Sequence, residues 1–364
     1  MEFLSLLFIR TAWNKIWPFL IAILFFGLII FIHEFGHFIF AKLFKVKVNE
    51  FAIGMGPTIF SKQGKETKYA LRLFPIGGFV SMEGEDEESE DEGSFSKKAV
   101  WKRMIIVSAG AIFNLILGLI ICCVILGTGD KIGTTQIHSF YENAVSQESG
   151  LKPGDKILKI DGKRVYSSYD LSFLMTRSGD GVMDFLVERD GEKVQLNDVK
   201  FQTEKNGDMV TIIYDFIIVG VKTTPLNAIK YSFGEAASIG RMVYLSLFDL
   251  ITGQYGLSDL SGPVGTVSII ADVAQESAAN FDWSYLLTIM ALITINIGLF
   301  NLLPVPALDG GRLFFMFIEL IFRKPVPAKY ENWIHAAGLF LLFAFMIVIS
   351  FSDIWKLIQG ESFV

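Results

Sequence analysis

The sequence is poor in charged and metal-binding side chains. Only 19% of its 364 residues are charged, and it contains two cysteines and four histidines. Cys122 and Cys123 are neighbours within an apolar run, where their side chains would point in different directions, so we expect neither a structural disulfide nor a thiolate metal site. The net charge of -6 provides no basic footprint, so we expect no nucleic-acid partner.

Apolar residues are abundant instead, and they lie in long blocks. Hydrophobic residues make up 52% of the chain, 34 residues are Phe, and the mean hydropathy is +0.47. An α-helix rises about 1.5 Å per residue and must cross about 30 Å of hydrocarbon, so about 20 apolar residues suffice for one span. Four stretches meet this requirement: 17–41, 104–128, 284–308 and 332–352. The sequence therefore predicts a polytopic α-helical membrane protein with four transmembrane helices.

The basic residues predict how these helices are oriented. Lysine and arginine are concentrated in the loop 42–103 and in the short loop 309–331. Because loops rich in Lys and Arg stay on the cytoplasmic side, we expect both loops inside, and both termini and the segment 129–283 outside. Arg10 and Lys15 favour the opposite orientation, but the two loops outweigh them.

Two regions between the spans have the pattern of β structure. Alternating apolar residues within 46–80 predict a cytoplasmic hairpin or small sheet close to the first helix. Residues 129–202 predict a small β-rich domain with a hairpin turn at Asp190-Gly191, and the run 150–162 resembles a PDZ domain. Such a domain either captures a peptide at its sheet edge or serves as a spacer or steric gate, and the sequence leaves both open.

Two further segments complete the division of the chain. The segment 83–92 holds eight carboxylates and predicts a solvated, disordered linker. Residues 225–251 have apolar side chains at helical spacing, which predicts an amphipathic helix against the outer membrane surface. The predicted regions are a first transmembrane helix (1–45), a β-hairpin region with acidic linker (46–99), a second transmembrane helix (100–128), a PDZ-like domain (129–202), an amphipathic helical region (203–283), a third transmembrane helix with a cytoplasmic loop (284–331), and a fourth transmembrane helix with the C-terminus (332–364).

The motif His33-Glu34-Phe35-Gly36-His37 lies inside the first predicted span. Residues i and i+4 share one face of a helix, so both imidazoles can bind one metal ion. Zn²⁺ lowers the pKa of a water that it binds to about 7, and Glu34 can take the proton as that water attacks a carbonyl. Ionisable groups inside a span cost about 2.5–3.5 kcal/mol each, so three of them together indicate a functional site. The alternative is a coincidental histidine pair, hydrogen-bonded within the bundle.

A catalytic zinc usually has a third protein ligand, and Asp309 is the best candidate. It follows the run 301–308, in which Pro304 and Pro306 interrupt an apolar helix. Broken backbone at membrane depth is tolerated where it is buried in protein or lines a wet cavity. The orientation drawn from Lys and Arg places His37 and Asp309 at the same inner face. The alternative is that Asp309 caps a helix or lies in a loop.

Three other polar residues of the apolar segments have simpler interpretations. Asn301 hydrogen-bonds either a substrate backbone or the interrupted helix itself. Asn114 is expected to make a helix–helix hydrogen bond within the membrane. Glu319 is expected to be a solvated or interfacial charge.

Five motifs along the chain resemble those of the site-2 protease family. They are HEFGH at 33–37, FPIGGFV at 74–80, GLKPGD at 150–155, SGPVG at 261–265 and NLLPVPALDGGR at 301–312. The likeness is to the bacterial RseP/RasP type, the regulated intramembrane zinc metalloproteases, and it covers nearly the whole chain in family order. The sequence departs from members with two PDZ domains, because only a single PDZ-like segment is found.

The resemblance implies a function and a set of site residues. It implies that Zn²⁺ is held by His33, His37 and Asp309. It further implies that Glu34 is the catalytic base and that Asn301 binds substrate. The β-hairpin region would be membrane-associated and would guide an extended substrate strand. Substrates would be single-span membrane proteins, of the anti-sigma factor or signal-peptide-remnant type, in the bacterial cytoplasmic membrane, with the PDZ-like domain extracytoplasmic and the active site towards the cytoplasm.

Two other functions are compatible with membrane helices that carry metal ligands. A catalytically silent chaperone or receptor could keep this fold, but it would be free to lose Glu34. A metal transporter could use the same ligands at a midplane site, but the inverted repeat of broken helices expected of it is missing from the sequence.

The substitution Glu34→Gln separates these three functions. Because Glu34 is predicted to move a proton and not to bind the metal, the variant should keep its metal and lose peptide cleavage. Metal content and cleavage of a membrane substrate are measured on the same preparation. Cleavage by the variant at the wild-type rate would contradict the protease assignment.

Overall fold

The computed structural model describes residues 2–85, 89–206, 209–253 and 260–359. The chain forms two compact units, of which unit 1 comprises Met1–Gly118 and Asp249–Val364 and unit 2 comprises Leu119–Phe248. The helices are α1 (Glu2–Leu43), α2 (Val100–Thr128), α3 (Val145–Glu148), α4 (Ser168–Thr176), α5 (Pro225–Ile251), α6 (Pro263–Asn280), α7 (Ser284–Leu302), α8 (Asp309–Phe322) and α9 (Ala328–Gln359). The strands are β1 (Val48–Gln63), β2 (Lys68–Met82), β3 (Lys131–Phe140), β4 (Lys156–Ile160), β5 (Lys163–Arg164), β6 (Val182–Arg189), β7 (Glu192–Lys200), β8 (Thr203–Asn206), β9 (Met209–Ile212) and β10 (Phe216–Lys222).

Four helices are long and apolar enough to cross a membrane, which confirms the four predicted spans. They are Ile16–Leu43, Val100–Thr128, Ser284–Leu302 and Lys329–Gln359. The third helix stops earlier than the predicted stretch. Pro304 lacks the N–H that a helix needs and disfavours helical backbone at Leu303, which is extended at φ -67° and ψ 145°. The fourth helix extends beyond the predicted stretch at both ends.

Strands β1 and β2 form an antiparallel sheet, as the sequence predicted. The strands are bent, so residues 50–53 of β1 pair with 78–81 of β2 on one side and with 68–71 on the other. Gly54 permits the bend, because its φ is +84° and a Cβ there would lie 2.6 Å from the carbonyl oxygen of Phe74. The sheet shares one apolar core with α1 and α2. We call these two strands the β element.

The acidic segment makes more contacts than a disordered linker would. Asp91 Oδ2 accepts a hydrogen bond from Lys47 Nζ at 2.9 Å, and Glu85 pairs with Arg312. The expectation of a disordered linker is therefore wrong for these residues, because basic partners distant in the sequence hold them. Residues 86–88 of the segment lie outside the described residues.

Unit 2 is built on an antiparallel sheet with the strand order β10-β3-β4-β6-β7, and β5 pairs with β4. Asp190 and Gly191 form the predicted hairpin turn between β6 and β7, with φ of 52° and 85°. The sheet continues past the predicted domain boundary at residue 202, because β10 pairs with β3. Alternation in a sequence identifies a strand but not its partner, so the closing strand was placed in the next region.

Two helices follow the sheet in the chain. Helix α5 coincides with the predicted amphipathic helix, whose position at a membrane surface stays a prediction. Helix α6 begins at Pro263, within the motif at 261–265, and is tied to α9 by the fully buried Asp353. The backbone N–H groups of Gly262 and Gly265 donate to this carboxylate at 3.2 and 2.8 Å. A carboxylate suits a helix N-terminus, where the first N–H groups lack partners within the helix.

Candidate metal centre

Three side chains from two helices converge on one point. His33 and His37 lie one turn apart on α1, and Asp309 is the first residue of α8. The Nε2 atoms of His33 and His37 are 3.2 Å apart. Asp309 Oδ2 lies 3.2 Å from His33 Nε2 and 3.3 Å from His37 Nε2. Among the described residues, these three form the group of His, Cys, Asp and Glu side chains close enough to bind one metal ion.

The three atoms are spaced and polarised as zinc requires. Bonds of about 2.0–2.1 Å at tetrahedral angles place ligand atoms about 3.3 Å apart. His37 Nδ1 donates to the carbonyl oxygen of Ile106 at 2.9 Å, so Nε2 of His37 is free to present a lone pair. Asp309 Oδ2 is buried without a hydrogen-bond partner in the described structure. Lone pairs aimed at one buried point repel each other, and a cation there removes that cost.

Asn114 of α2 orients the other imidazole. This residue is fully buried, and its side-chain Nδ2 lies 3.4 Å from Nδ1 of His33. Oδ1 of the same amide has no hydrogen-bond partner among the described residues. Because the two ends of an amide have nearly the same shape, turning it over lets Oδ1 accept a hydrogen bond from His33 Nδ1–H. His33 Nε2 is then free for the metal, as a ligating histidine requires.

The predicted helix–helix hydrogen bond of Asn114 is thus confirmed, but its partner is the candidate metal ligand His33, which sequence reasoning missed. It also missed Gly110, which brings α2 close to both imidazoles. A Cβ at Gly110 would lie 2.7 Å from Cε1 of His37 and 2.9 Å from Cε1 of His33. Gly110 and Asn114 are four residues apart and share one helix face, and this spacing was the signal available in the sequence.

The break between α7 and α8 positions Asp309. Ala307 has a φ of 77°, and its backbone N–H donates to Nδ1 of His335 at 3.0 Å. Gly310 packs against the carbonyl oxygen of Leu303 so closely that a Cβ would not fit. The predicted interruption by two prolines therefore starts a new helix whose first residue faces the two histidines.

Glu34 and Asn301 occupy different places relative to the three ligands. Glu34 is half-buried, and no described residue donates a hydrogen bond to its carboxylate. A Cβ at Gly78 of β2 would lie 2.9 Å from Glu34 Cγ, so the β element passes directly beside this carboxylate. Asn301 lies in the last turn of α7, is half-buried and is not part of the ligand group. Its role in substrate binding stays a prediction.

Glu319 was expected to be a solvated or interfacial charge, and it is not solvated. Its Oε1 accepts a hydrogen bond from Nη2 of Arg103 at 2.6 Å, and the two side chains are only 15% and 13% exposed. The pair joins α8 to α2, the helices that carry Asp309 and Asn114. The expectation of a solvated charge is wrong because the partner lies in a distant part of the chain, and an interfacial position stays a prediction.

An HExxH helix among membrane-spanning helices, completed by a carboxylate from a second helix, defines a membrane-embedded metallohydrolase. The chain belongs to peptidase family M50, the site-2 protease family, whose family model matches residues 21–345. Three relatives illustrate the likeness. A Fusobacterium nucleatum protein described by name as a zinc metalloprotease is 38% identical over 344 residues, which cover 93% of this chain and 99% of the relative.

The other two relatives are named RasP. The zinc metalloprotease RasP of Bacillus licheniformis is 31% identical over 418 residues, covering 92% of this chain and 98% of its own length. The regulator of sigma-W protease RasP of Bacillus subtilis is 30% identical over 418 residues, covering 92% and 97%. The chain is accordingly a zinc metalloprotease of a bacterial membrane, and Zn²⁺ is its cofactor.

Replacing Gly110 by alanine tests how closely α2 must approach the ligands. The added methyl group would lie within 3 Å of a ring carbon of both His33 and His37, so one of the rings must move. We expect zinc affinity to fall about 10–100-fold, as it does when groups that orient metal ligands are lost. The matched control is Gly127→Ala on the same helix, where nothing lies within 4 Å of the added methyl. Unchanged zinc affinity in Gly110→Ala, measured by chelator competition, would contradict this account.

Proposed function

We propose that this zinc metalloprotease is an intramembrane endopeptidase that cuts within or near the transmembrane segments of single-span membrane proteins. The observation that carries the proposal is the ligand triangle with sides of 3.2–3.3 Å, built on a helix long and apolar enough to span a membrane. Three ionisable ligands at membrane depth are costly unless the reaction takes place there.

Glu34 is the residue that we assign to proton transfer. Zinc, when bound, supplies a Lewis acid that polarises the substrate carbonyl and acidifies water at the site. Glu34 follows a ligand directly and its carboxylate is not engaged by any described donor, so it is available to take a proton from water. It would then return that proton to the amine that leaves when the peptide bond breaks. Asn301, in the last turn of α7, would hydrogen-bond the substrate backbone.

The substrate must present an extended backbone to this site. A helical amide is shielded by its own hydrogen bonds, and unwinding it inside the membrane leaves polar groups without partners. Residues 78–81 of β2 pair with β1 on one side, and no described strand pairs with their other edge. Gly78 lies in this stretch and packs against Glu34. A substrate strand added to this edge would regain hydrogen bonds beside the catalytic carboxylate.

An ion pair within the β element supports this edge. Nη2 of Arg72 donates to Oε1 of Glu50 at 2.7 Å, and Nη1 donates to the carbonyl oxygen of Gly56 at 3.2 Å. The same guanidinium lies 4.8 Å from the ring centre of Phe79. Although burial opposes it, the hydrogen bond from Arg72 and the charge of Lys68 hold the pKa of Glu50 below its ordinary value. Arg72 therefore links the bend of β1 to the stretch of β2 that contacts Glu34.

The topology and the substrate type complete the proposal. With the loops 42–103 and 309–331 in the cytoplasm, the active site faces the cytoplasmic side of the bacterial cell membrane and the PDZ-like domain is extracytoplasmic. One relative is named a regulator of sigma-W protease, which supports membrane-bound anti-sigma factors as substrates. Signal-peptide remnants have the same single-span form. Fragment mapping after co-expression of such proteins with wild-type and Glu34→Gln enzyme tests the assignment.

Cleavage should depend on how easily the substrate helix unwinds. We expect each Ala→Gly replacement near the cut to raise the rate up to about fivefold, since Gly is about 1 kcal/mol less favourable in a helix than Ala. Initial rates are measured on a graded series of substrates in bilayers, with Glu34→Gln enzyme as the blank. A rate independent of substrate helix stability would count against the unwinding step.

Breaking the Glu50–Arg72 pair should loosen substrate positioning without removing zinc. We expect Glu50→Gln to lower kcat/KM about 10–100-fold and to scatter the cut position, because small displacements at the reacting bond are costly. The charge swap Glu50→Arg with Arg72→Glu should restore part of the loss. The matched control is Glu66→Gln, whose carboxylate is 69% exposed and pairs with Lys42. Equal effects of Glu50→Gln and Glu66→Gln would refute a positioning role.

A further inference from the structure

A cleft in unit 2 has no part in the metal centre. Its volume is about 860 Å³, and it is lined by strands of the sheet, by β5 and by α5. Along β6, Met183, Phe185 and Val187 lie in the apolar core, whereas Leu186 and Glu188 line the cleft. The cleft therefore lies on the face of the sheet opposite to most of that core. Its size is within the range of about 300–1,000 Å³ that ligand pockets occupy.

Basic side chains are concentrated in this cleft. Five line it, namely Lys156, Lys159, Arg164, Lys193 and Lys230, and Glu188 is the acidic residue among the lining side chains. We call these five residues the cationic cleft. The segment 119–248 as a whole contains more acidic than basic residues, so its charges are segregated.

The five cations are only partly offset within the part of the chain that the structure describes, where Glu188 lies opposite both Lys156 and Lys193 in the strand register. None of them has an ion pair there, whereas two arginines outside the cleft do. Arg189 pairs with Asp155, and Arg241 pairs with Asp170. Gathering like charges in one cleft raises the energy of the folded chain unless an anion is bound. The arrangement therefore indicates an anionic ligand.

The spread of the charges indicates the shape of that ligand. Lys193 lies on β7, whereas Lys156 and Lys159 lie on β4, and β6 runs between these two strands. Neighbouring strands are about 4.8 Å apart, so these lysine backbones are about 10 Å apart across the sheet. One phosphate or one free carboxylate is too small to contact all of them. An extended chain that carries several carboxylates matches the spacing.

The other lining groups favour a peptide over a lipid headgroup. Leu186, Val219 and Val221 offer apolar surface between the charges. Tyr166 also lines the cleft, with the guanidinium of Arg164 5.5 Å from its ring centre. Alternating apolar and cationic positions match an extended peptide that carries both apolar and acidic side chains. A lipid headgroup would contact only the cationic side chains.

We propose that the cationic cleft binds an acidic, extended peptide segment, and that this segment belongs to the part of the substrate outside its membrane span. The second half of this statement rests on the proposed function. The cleft selects substrates by the charge of that flanking segment, while the metal centre cuts the span itself. It is thus a substrate-binding site separate from the edge of the β element.

Binding is tested on the full-length Glu34→Gln protein in zwitterionic nanodiscs, so that no cleavage interferes. The probe is a fluorescein-labelled peptide of alternating glutamate and small apolar residues, and the comparison peptide carries glutamine instead. We expect the Lys156→Glu/Lys159→Glu variant to bind the acidic peptide at least about tenfold more weakly, and added salt to weaken binding to the unmodified cleft. The matched control is Lys152→Glu/Lys200→Glu, which makes the same charge change at exposed lysines outside the cleft.

Several results would overturn the proposal. They are equal weakening in the control variant, equal binding of the glutamine peptide, and binding of inorganic phosphate or anionic vesicles in place of the acidic peptide. A second variant, Lys193→Glu/Lys230→Glu, changes other elements of the cleft and guards against misfolding of β4. Loss of binding in both cleft variants, with wild-type thermal stability, supports the site.

Cleavage assays then separate this proposal from the proposed function. With the unmutated catalytic residue, cleft variants should cut a substrate with a neutral flanking segment at the wild-type rate and one with an acidic segment about tenfold more slowly. A substrate with a basic flanking segment should be cut faster by the Lys→Glu variants than by wild type. If neutral substrates are cut but flanking charge has no effect, the cleft proposal fails and the proposal of intramembrane cleavage stands. If no membrane substrate is cut while peptide binding persists, the proposal of intramembrane cleavage fails alone.

Discussion

Three lone pairs directed at one buried point are the constraint around which unit 1 is arranged. Without a cation, the imidazoles of His33 and His37 and the carboxylate of Asp309 would repel each other at 3.2–3.3 Å in apolar surroundings. Zinc held by these three side chains would remove that repulsion. Zinc binding would then also favour the placement of α1 and α8 that brings the side chains together.

Helix α2 approaches His33 and His37 closely, and this approach supports the geometry of the site. Gly110 removes the side chain that would otherwise separate α2 from the histidines, and Asn114 uses the same face to orient His33. The carbonyl of Ile106 completes the set by fixing the proton of His37. A polar group buried among membrane helices is costly unless it has a partner, and here the partners are the candidate metal ligands His33 and His37.

In our proposals, the β element and the cationic cleft of unit 2 each bind a different part of the substrate. The contact of Gly78 with Glu34 places an open strand edge beside the carboxylate that we propose as the catalytic base, and the Glu50–Arg72 pair holds the bend that makes the contact. As proposed, the cationic cleft of unit 2 adds a second point of selection, which depends on the charge of the substrate outside its membrane span. Cutting a membrane helix requires both steps, because the scissile bond must be exposed and the correct chain must be chosen first.

The sequence by itself determined the four spans, the HExxH helix, the prolines before Asp309 and the helix Pro225–Ile251, because each depends on local composition or on spacing along one helix. Only the tertiary structure decided what depends on pairing between distant segments. These pairings are those of β10 with β3 in the sheet of unit 2, of Glu319 with Arg103, and of Glu85 with Arg312. Alternation and hydropathy report which face of an element is buried, but they do not report which other element covers it.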